Sequence, residues 1–174
     1  KIGTMLMRLG QSVEAEAQMR KALALDPDYG DAANNLSILL MGRKAYEDAE
    51  PLLRGAIGND INHFSLHINL GDLLTNTGRL PEALYYFRRA VEMDPKSGFA
   101  KERLARPLID LHKITEAMSL LETALNEDPS IATGWVNLGR CHLVRGNIAD
   151  ADRCNQTALE KDPDLLAAWM NLVF

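Results

Sequence analysis

Residues 64–97 read FSLHINLGDLLTNTGRLPEALYYFRRAVEMDPKS, and residues 132–165 read ATGWVNLGRCHLVRGNIADADRCNQTALEKDPDL. Laid one under the other, they share Asn69 with Asn137, Leu70-Gly71 with Leu138-Gly139, and Gly78 with Gly146. They also share Ala83 with Ala151, Ala90 with Ala158, and Asp94-Pro95 with Asp162-Pro163. The two stretches stand 68 residues apart, which is twice 34.

Working outward, the Asp-Pro pair also occurs at Asp26-Pro27 and Asp128-Pro129, and Asp60-Ile61 keeps the Asp and loses the Pro. A fixed period of this size is the signature of a repeat architecture. A large aliphatic recurs at Ile2, Leu36, Leu70, Leu104, Leu138 and Leu172. A small residue follows it at Gly3, Ser37, Gly71, Ala105 and Gly139, and Val173 breaks that column. Two alanine columns run without a gap: Ala15, Ala49, Ala83, Ala117, Ala151 and Ala22, Ala56, Ala90, Ala124, Ala158.

These spacings have a physical cause. Leu70-Gly71-x-x-Leu74 and Ala83-x-x-x-Phe87-x-x-Ala90 each mark one face of a helix. Small residues let paired backbones approach closely, and the large residue beside them fills the groove. Gly10, Gly78 and Gly146 stand where a helix ends in the left-handed conformation. Proline ends the second helix of each unit, because it pushes the preceding residue out of the α region. Asp28, Asn62, Ser130 and Asp164 are expected to cap the helix that follows. Helices are expected near 12–25, 30–42, 46–59, 64–77, 80–93, 98–111, 114–127, 132–145, 148–161 and 166–173.

These residues resemble the tetratricopeptide repeat, or TPR. Trp135, Leu138, Gly139, Ala151, Ala158 and Pro163 match its signature best, and the resemblance spans the chain. It implies an all-α protein, a right-handed α-solenoid of helix-turn-helix repeats with a concave and a convex side. The expected organisation is a single array over 1–174: a partial repeat 1–29, complete repeats 30–63, 64–97, 98–131 and 132–165, and the start of another at 166–174. Neither end falls on a unit boundary, so the chain reads as a segment of a longer array. The pentatricopeptide family has a similar period and binds RNA. The Leu-Gly and Ala columns and the acidic balance argue against it.

The pattern breaks in places. Pro107 falls mid-helix, where it is expected to remove a backbone bond and kink the helix, at about 3 kcal/mol in a regular helix. Pro51 sits early in its helix, and Pro81 is at a favourable first-turn position. Asn155 takes the core column of Met19, Leu53, Phe87 and Leu121, and His142 that of Leu40, Leu74 and Leu108. The two are expected to hydrogen-bond each other, because buried polar groups need partners. Cys141 and Cys154 are too few for a disulfide framework and read as buried thiols in a reducing compartment. With His142 they lack the close spacing of a metal site, so no metal or cofactor is expected. The sequons at Asn35 and Asn155 fall inside helices and read as chance.

The resemblance places the first helix of each unit along the concave groove. Its stripe reads Asn35, Ile38, Gly42; Asn69, Asp72, Asn76; Arg103, Arg106, Asp110; Asn137, Arg140, Val144; and Asn171, Phe174. An asparagine amide both donates and accepts, so one per unit can grip the backbone of an extended peptide. Packed helices lie about 8–10 Å apart, and an extended chain rises about 3.3 Å per residue. One Asn would then meet roughly every third residue of a ligand. This ladder is similar to that of the TPR region of O-GlcNAc transferase. Arg103, Arg106 and Arg140 make part of the groove basic and suited to a carboxylate, unless Glu102, Asp72 or Asp110 pairs with them. The two-carboxylate clamp of co-chaperone TPRs is matched at Asn69 and Arg103 only. Asn34, Ile38 and Phe99 stand at its other positions.

The expected peptide-binding residues are therefore Asn35, Asn69, Asp72, Asn76, Arg103, Arg106, Asn137, Arg140 and Asn171. The expected function is a protein-interaction scaffold that holds an extended peptide or a partner helix. The alternative is the substrate-recognition arm of a larger enzyme such as a glycosyltransferase. Catalytic motifs are missing from the sequence, so the chain is not expected to be an enzyme itself. A net charge of −5 disfavours nucleic acid as a partner. The longest apolar run, Leu36 to Met41, is far short of a membrane span, and a cytoplasmic setting is expected. A third reading is self-association through the apolar end formed by Trp169, Met170, Leu172, Val173 and Phe174.

Overall fold

The computed structural model describes residues 2–60 and 63–172. All eleven helices among them are α-helices: α1 (Ile2–Arg8), α2 (Ser12–Leu25), α3 (Gly30–Gly42), α4 (Tyr46–Asn59), α5 (Phe64–Asn76), α6 (Leu80–Met93), α7 (Gly98–Asp110), α8 (Ile114–Glu127), α9 (Ala132–Val144), α10 (Ile148–Lys161) and α11 (Leu166–Asn171). They lie where the 34-residue period places them. The expected cap Asn62, the broken column position Val173 and the groove position Phe174 lie outside the described residues. Among the described residues no helix is long and apolar enough to cross a membrane.

The chain divides into two compact units, residues 1–86 and 87–174, with the boundary inside α6. In the first unit α1 packs on α2, α3 on α4, and α2 and α4 on the helices that follow them. Its interior holds Ala15, Met19, Leu36, Leu40, Ala49, Leu53, Leu70 and Leu74. The second unit repeats the scheme with α7 on α8 and α9 on α10. Phe87, Leu104, Leu108, Leu121, Ala124, Ala151 and Ala158 fill its interior. All five members of the first alanine column are wholly inaccessible to solvent. The reason shows at Gly139, where an added Cβ would lie 3.3 Å from the carbonyl oxygen of Ala151. The small pair sets how closely α9 and α10 approach.

Helices α1, α3, α5, α7 and α9 end in the same left-handed turn. Gly10, Gly78 and Gly146 have φ of +73°, +76° and +78°. The same column carries Lys44 and His112, at φ 62° and 59°. Nothing in the glycine pattern announces these two, because neither is a glycine. The next amide reaches back five residues in every case: Ala45 to Leu40 at 2.9 Å, Arg79 to Leu74 at 2.8 Å, Lys113 to Leu108 at 2.8 Å. This is the Schellman pattern, which satisfies a helix-end carbonyl.

The links from second to first helix correct the expected caps. The cap positions are Tyr29, Ile131 and Leu165, one residue beyond Asp28, Ser130 and Asp164, and none makes a side-chain cap bond. The recurring work of the link is done by the Asp of Asp-Pro. Its side chain accepts from the amide two residues on: Asp26 from Asp28, Asp94 from Lys96, Asp128 from Ser130, Asp162 from Asp164. Its carbonyl accepts from the residue after that, as Tyr29 to Asp26 at 3.2 Å shows. Asp followed by Pro is the preferred opening of such a turn. The turn uses up the residue that was expected to cap. At Asp128 the Ser130 hydroxyl and amide hold the carboxyl below its ordinary range. Ser97 does cap through its side chain, accepting from the Ala100 amide at 3.1 Å.

Pro107 and Asn155, two of the breaks in the pattern, both lie inside helices. Helix α7 runs from Gly98 to Asp110 through Pro107, whose ring is fully buried. The expected bond between His142 and Asn155 is not made. Fully buried Asn155 instead donates to the Ala151 carbonyl at 3.0 Å and accepts from Asn171 at 3.3 Å. His142 Nδ1 is buried without a hydrogen bond, 3.9 Å from the Asp150 carboxylate. The two side chains sit on different helices and each has turned to its own neighbour. Cys141 and Cys154 are buried free thiols. Burial pushes the Cys141 thiol up to about 11 and raises Cys154 as well.

Candidate functional site

In the first unit the row expected to line a groove is carried by α3 and α5. The Asn69 amide, half-buried on α5, donates to Asn34 Oδ1 on α3 at 2.7 Å. Asn35 and Asp72 are half-buried and engaged within the chain, while Asn76 is exposed at the end of α5. Beside this row lies a shallow recess of about 300 Å³, lined by Met7, Ser12, Ile38, Leu39, Gly42 and Arg43. Ile38 is 40% exposed there. The recess thus joins apolar Met7, Ile38 and Leu39 with polar Ser12 and Arg43.

In the second unit the row is carried by α7, α9 and α11, and its chemistry is ionic. Arg103 lies over the Phe99 ring, 4.9 Å from the centroid, and its Nε is 3.6 Å from Glu102 Oε2. Glu102 is buried, and its Oε1 accepts from Asn137 Nδ2 at 2.8 Å. Asn137 Oδ1 accepts in turn from Arg140 at 3.4 Å, and Arg140 reaches Asp110 at 3.0 Å. Two of the three arginines thus have carboxylates of their own, Glu102 and Asp110, as the pairing weighed from the sequence implied. Arg106 is half-buried, and among the described residues it has no ion-pair partner.

The amides do more for the chain than the ladder expectation gave them. Asn69 bonds Asn34, and Asn137 bonds Glu102: the same bond, to the residue 35 positions earlier. Asn34 and Glu102 belong to a column that is otherwise Ile68, Val136 and Met170. A polar residue in that apolar column, with Asn 35 residues on, is the signal that marks these ties. Asn171 finds Val136 at that distance and turns inward to Asn155 instead. Asn137 is only 7% exposed, so its amide is committed rather than offered. A further buried charge, which no column of the repeat marks, is Lys101, paired with Glu127 across α7 and α8. No group of three metal-ligating side chains is found among the described residues.

Comparison with known proteins agrees with this geometry. Family models described as tetratricopeptide repeat match residues 1–64, 74–132 and 108–173. A search of curated proteins by sequence gave no significant match. Among solved structures, YrrB, described as a TPR protein with an unusual peptide-binding site, is 23% identical with a TM-score of 0.74, over 97% of this chain and 87% of that one. PilF of Pseudomonas aeruginosa is 18% identical with a TM-score of 0.85, over 98% and 78%. MamA of Desulfovibrio magneticus RS-1 is 16% identical with a TM-score of 0.80, over 94% and 93%. At these identities the likeness is one of fold, an all-α solenoid of helix-turn-helix repeats. With repeat models matched over residues 1–64 and again over 74–173, on helices whose columns pack in the register described, the chain belongs to the tetratricopeptide repeat family.

Proposed function

We propose that the groove-side rows bind an extended segment or a helix of a partner protein. The observation that supports this most is the recess at Ile38, where apolar Met7 and Leu39 stand together with polar Ser12 and Arg43. Apolar lining with a few convergent polar groups is how ligand sites are built. Asn69 is held to Asn34 at 2.7 Å, which fixes its carbonyl oxygen and leaves one N–H for a ligand backbone. Pre-ordered groups lose less entropy on binding. That YrrB, a protein of the same fold, is described by its peptide-binding site is consistent with this reading. The test is a peptide-array screen followed by anisotropy titration of the hits. Asn69→Ala and Asn76→Ala should weaken binding severalfold and leave the helical circular dichroism unchanged. Unaltered affinity in both variants rejects the row as the site.

A second reading, self-association, is favoured by α11. Leu166, Trp169 and Met170 are 68%, 53% and 60% exposed. At the column of Trp169, Ala33, His67 and Lys101 are buried and Trp135 is half-buried; at that of Met170, Ile68, Glu102 and Val136 are buried and Asn34 is half-buried. Helix α11 thus shows a face that its counterparts bury wholly or in part, and a second copy of the chain is the proposed cover. Light scattering over a concentration series should show dimers that Trp169→Glu abolishes. A wild type that stays monomeric rejects this.

A further inference from the structure

On α7 and α9 the groove-side row holds three guanidiniums, Arg103, Arg106 and Arg140, and the carboxylate of Asp110, with the buried carboxylate of Glu102 beside it. Both carboxylates are committed: Glu102 to Asn137 and Arg103, Asp110 to Arg140. The surplus cation is Arg106, partly withdrawn from water and, among the described residues, without an ion-pair partner. A guanidinium in that position has lost hydration without gaining an anion. Its surroundings prevent it from borrowing one cheaply. Asp110 stands one turn on, on the same face of α7, but its carboxylate is held at 3.0 Å by Arg140 from α9. That bond also brings the Arg140 guanidinium onto α7 within a turn of Arg106.

We infer that Arg106 is a carboxylate-binding centre, which takes a glutamate or aspartate side chain of the bound peptide with Arg140 as a neighbouring donor. The assignment rests on the reading of the row as a peptide groove and adds the chemistry of the ligand. Guanidinium suits the task because its planar fork meets a carboxylate with two parallel bonds. Binding neutralises Arg106, which has no ion-pair partner among the described residues, whereas Arg103 and Arg140 already hold carboxylates; Arg140 keeps Asp110 and offers a remaining N–H.

The probe is a random dodecapeptide library displayed on phage, panned over the wild-type chain and over Arg106→Gln, Arg106→Lys and Asn69→Ala. Arg106→Gln breaks no ion pair among the described residues, and circular dichroism checks its fold. Peptides retained by the wild type should carry an acidic residue. Changing that residue to Gln in the synthetic peptide should weaken binding to the wild type by about tenfold or more and leave binding to Arg106→Gln unchanged. Arg106→Lys should keep part of the preference. Retained peptides that depend on Asn69 but bind Arg106→Gln as tightly as wild type, or that lack acidic residues, overturn the carboxylate centre and leave the groove standing. A library that yields no peptide sensitive to either position overturns both.

Discussion

Asn137 on α9 donates its side-chain amide to the carboxylate of Glu102 on α7 at 2.8 Å, and both residues are buried. Asn69 and Asn34 repeat the tie between α5 and α3. Each joins successive first helices, as the Arg140–Asp110 pair also does between α9 and α7. A hydrogen bond there fixes the azimuth of one helix against the next, and so the direction in which Asp72 and Arg140, three residues on, present themselves. Residues expected to bind a ligand thus also build the surface that would do so.

Asn137→Ala should therefore act first on stability. It removes the donor and leaves a buried carboxylate short of a partner, which costs about 1–3 kcal/mol. Asn69→Ala should cost less, since its partner is a neutral amide at a half-buried site. The double change Glu102→Leu with Asn137→Val should recover part of the loss, because the buried carboxylate goes with its donor, while Arg103 gives up its ion pair. Denaturation followed by circular dichroism compares these variants with the wild type. An Asn137→Ala protein as stable as wild type would show that Glu102 has no need of the bond.

The left-handed column yields a prediction of opposite sign. Lys44 and His112 hold φ of 62° and 59° with a Cβ in place, a conformation that costs roughly 1–2 kcal/mol for an ordinary L-residue. Lys44→Gly and His112→Gly should each raise stability by about 0.5–1 kcal/mol, the gain being reduced by the extra freedom glycine has when unfolded. Gly78→Ala should lower it. The three melting temperatures, taken together, check the sign. A fall in both glycine variants would mean that the side chains contribute contacts worth more than the strain.

How legible the molecule is from its sequence follows from which interactions are periodic. The alanine columns, the Leu-Gly pairs and the Asp-Pro turns recur every 34 residues, so helix positions and family can be read from them. The expected caps fall one position early because Asp28, Ser130 and Asp164 are all good capping types, and residue type alone does not show that the preceding Asp has already closed the turn. The polar ties depend on pairs 35 apart, one off the period, and are invisible to a column-by-column reading. Which arginines are satisfied is settled by distances, not by composition: Arg103, Arg106 and Arg140 look alike in sequence and differ in what lies within reach.

Asn155 tests whether a departure from a core column matters. Its counterparts are Met19, Leu53, Phe87 and Leu121, all buried. Its bond to the Ala151 carbonyl is a helix-internal one, and its partner Asn171 is half-buried and near water. Asn155→Leu is close in volume and strands no fully buried group, so it should stabilise the second unit by about 1 kcal/mol. Asn155→Ala, which opens a cavity, should destabilise it. Thermal melts of the two variants separate the possibilities. A destabilising leucine would mean that the Asn171 tie is worth more than apolar burial.

The last prediction concerns acid. In the first unit Arg54 and Arg79 bridge Glu50 and Glu82 between α4 and the start of α6: Arg54 to Glu50 at 2.8 Å and Glu82 at 3.0 Å, Arg79 to both at 2.8 Å. Arg54 also donates to the Tyr86 hydroxyl at 3.0 Å. Burial works to raise the Glu50 carboxyl, but Arg54 and Arg79 outweigh it and hold the group below its ordinary 4.5. Arg79 first and Arg54 second lower Glu82. A carboxyl whose folded value lies below its unfolded one contributes stability that is complete above the unfolded value. That contribution is lost as pH falls from 4.5 through the folded one. The melting temperature of the wild type should therefore fall more steeply below pH 4.5 than that of Glu50→Gln, and the two should differ by a constant above it. Added salt should shrink the difference, because the network is largely at the surface. Parallel curves for the two proteins through the acid range would show that these four charges do not couple to folding.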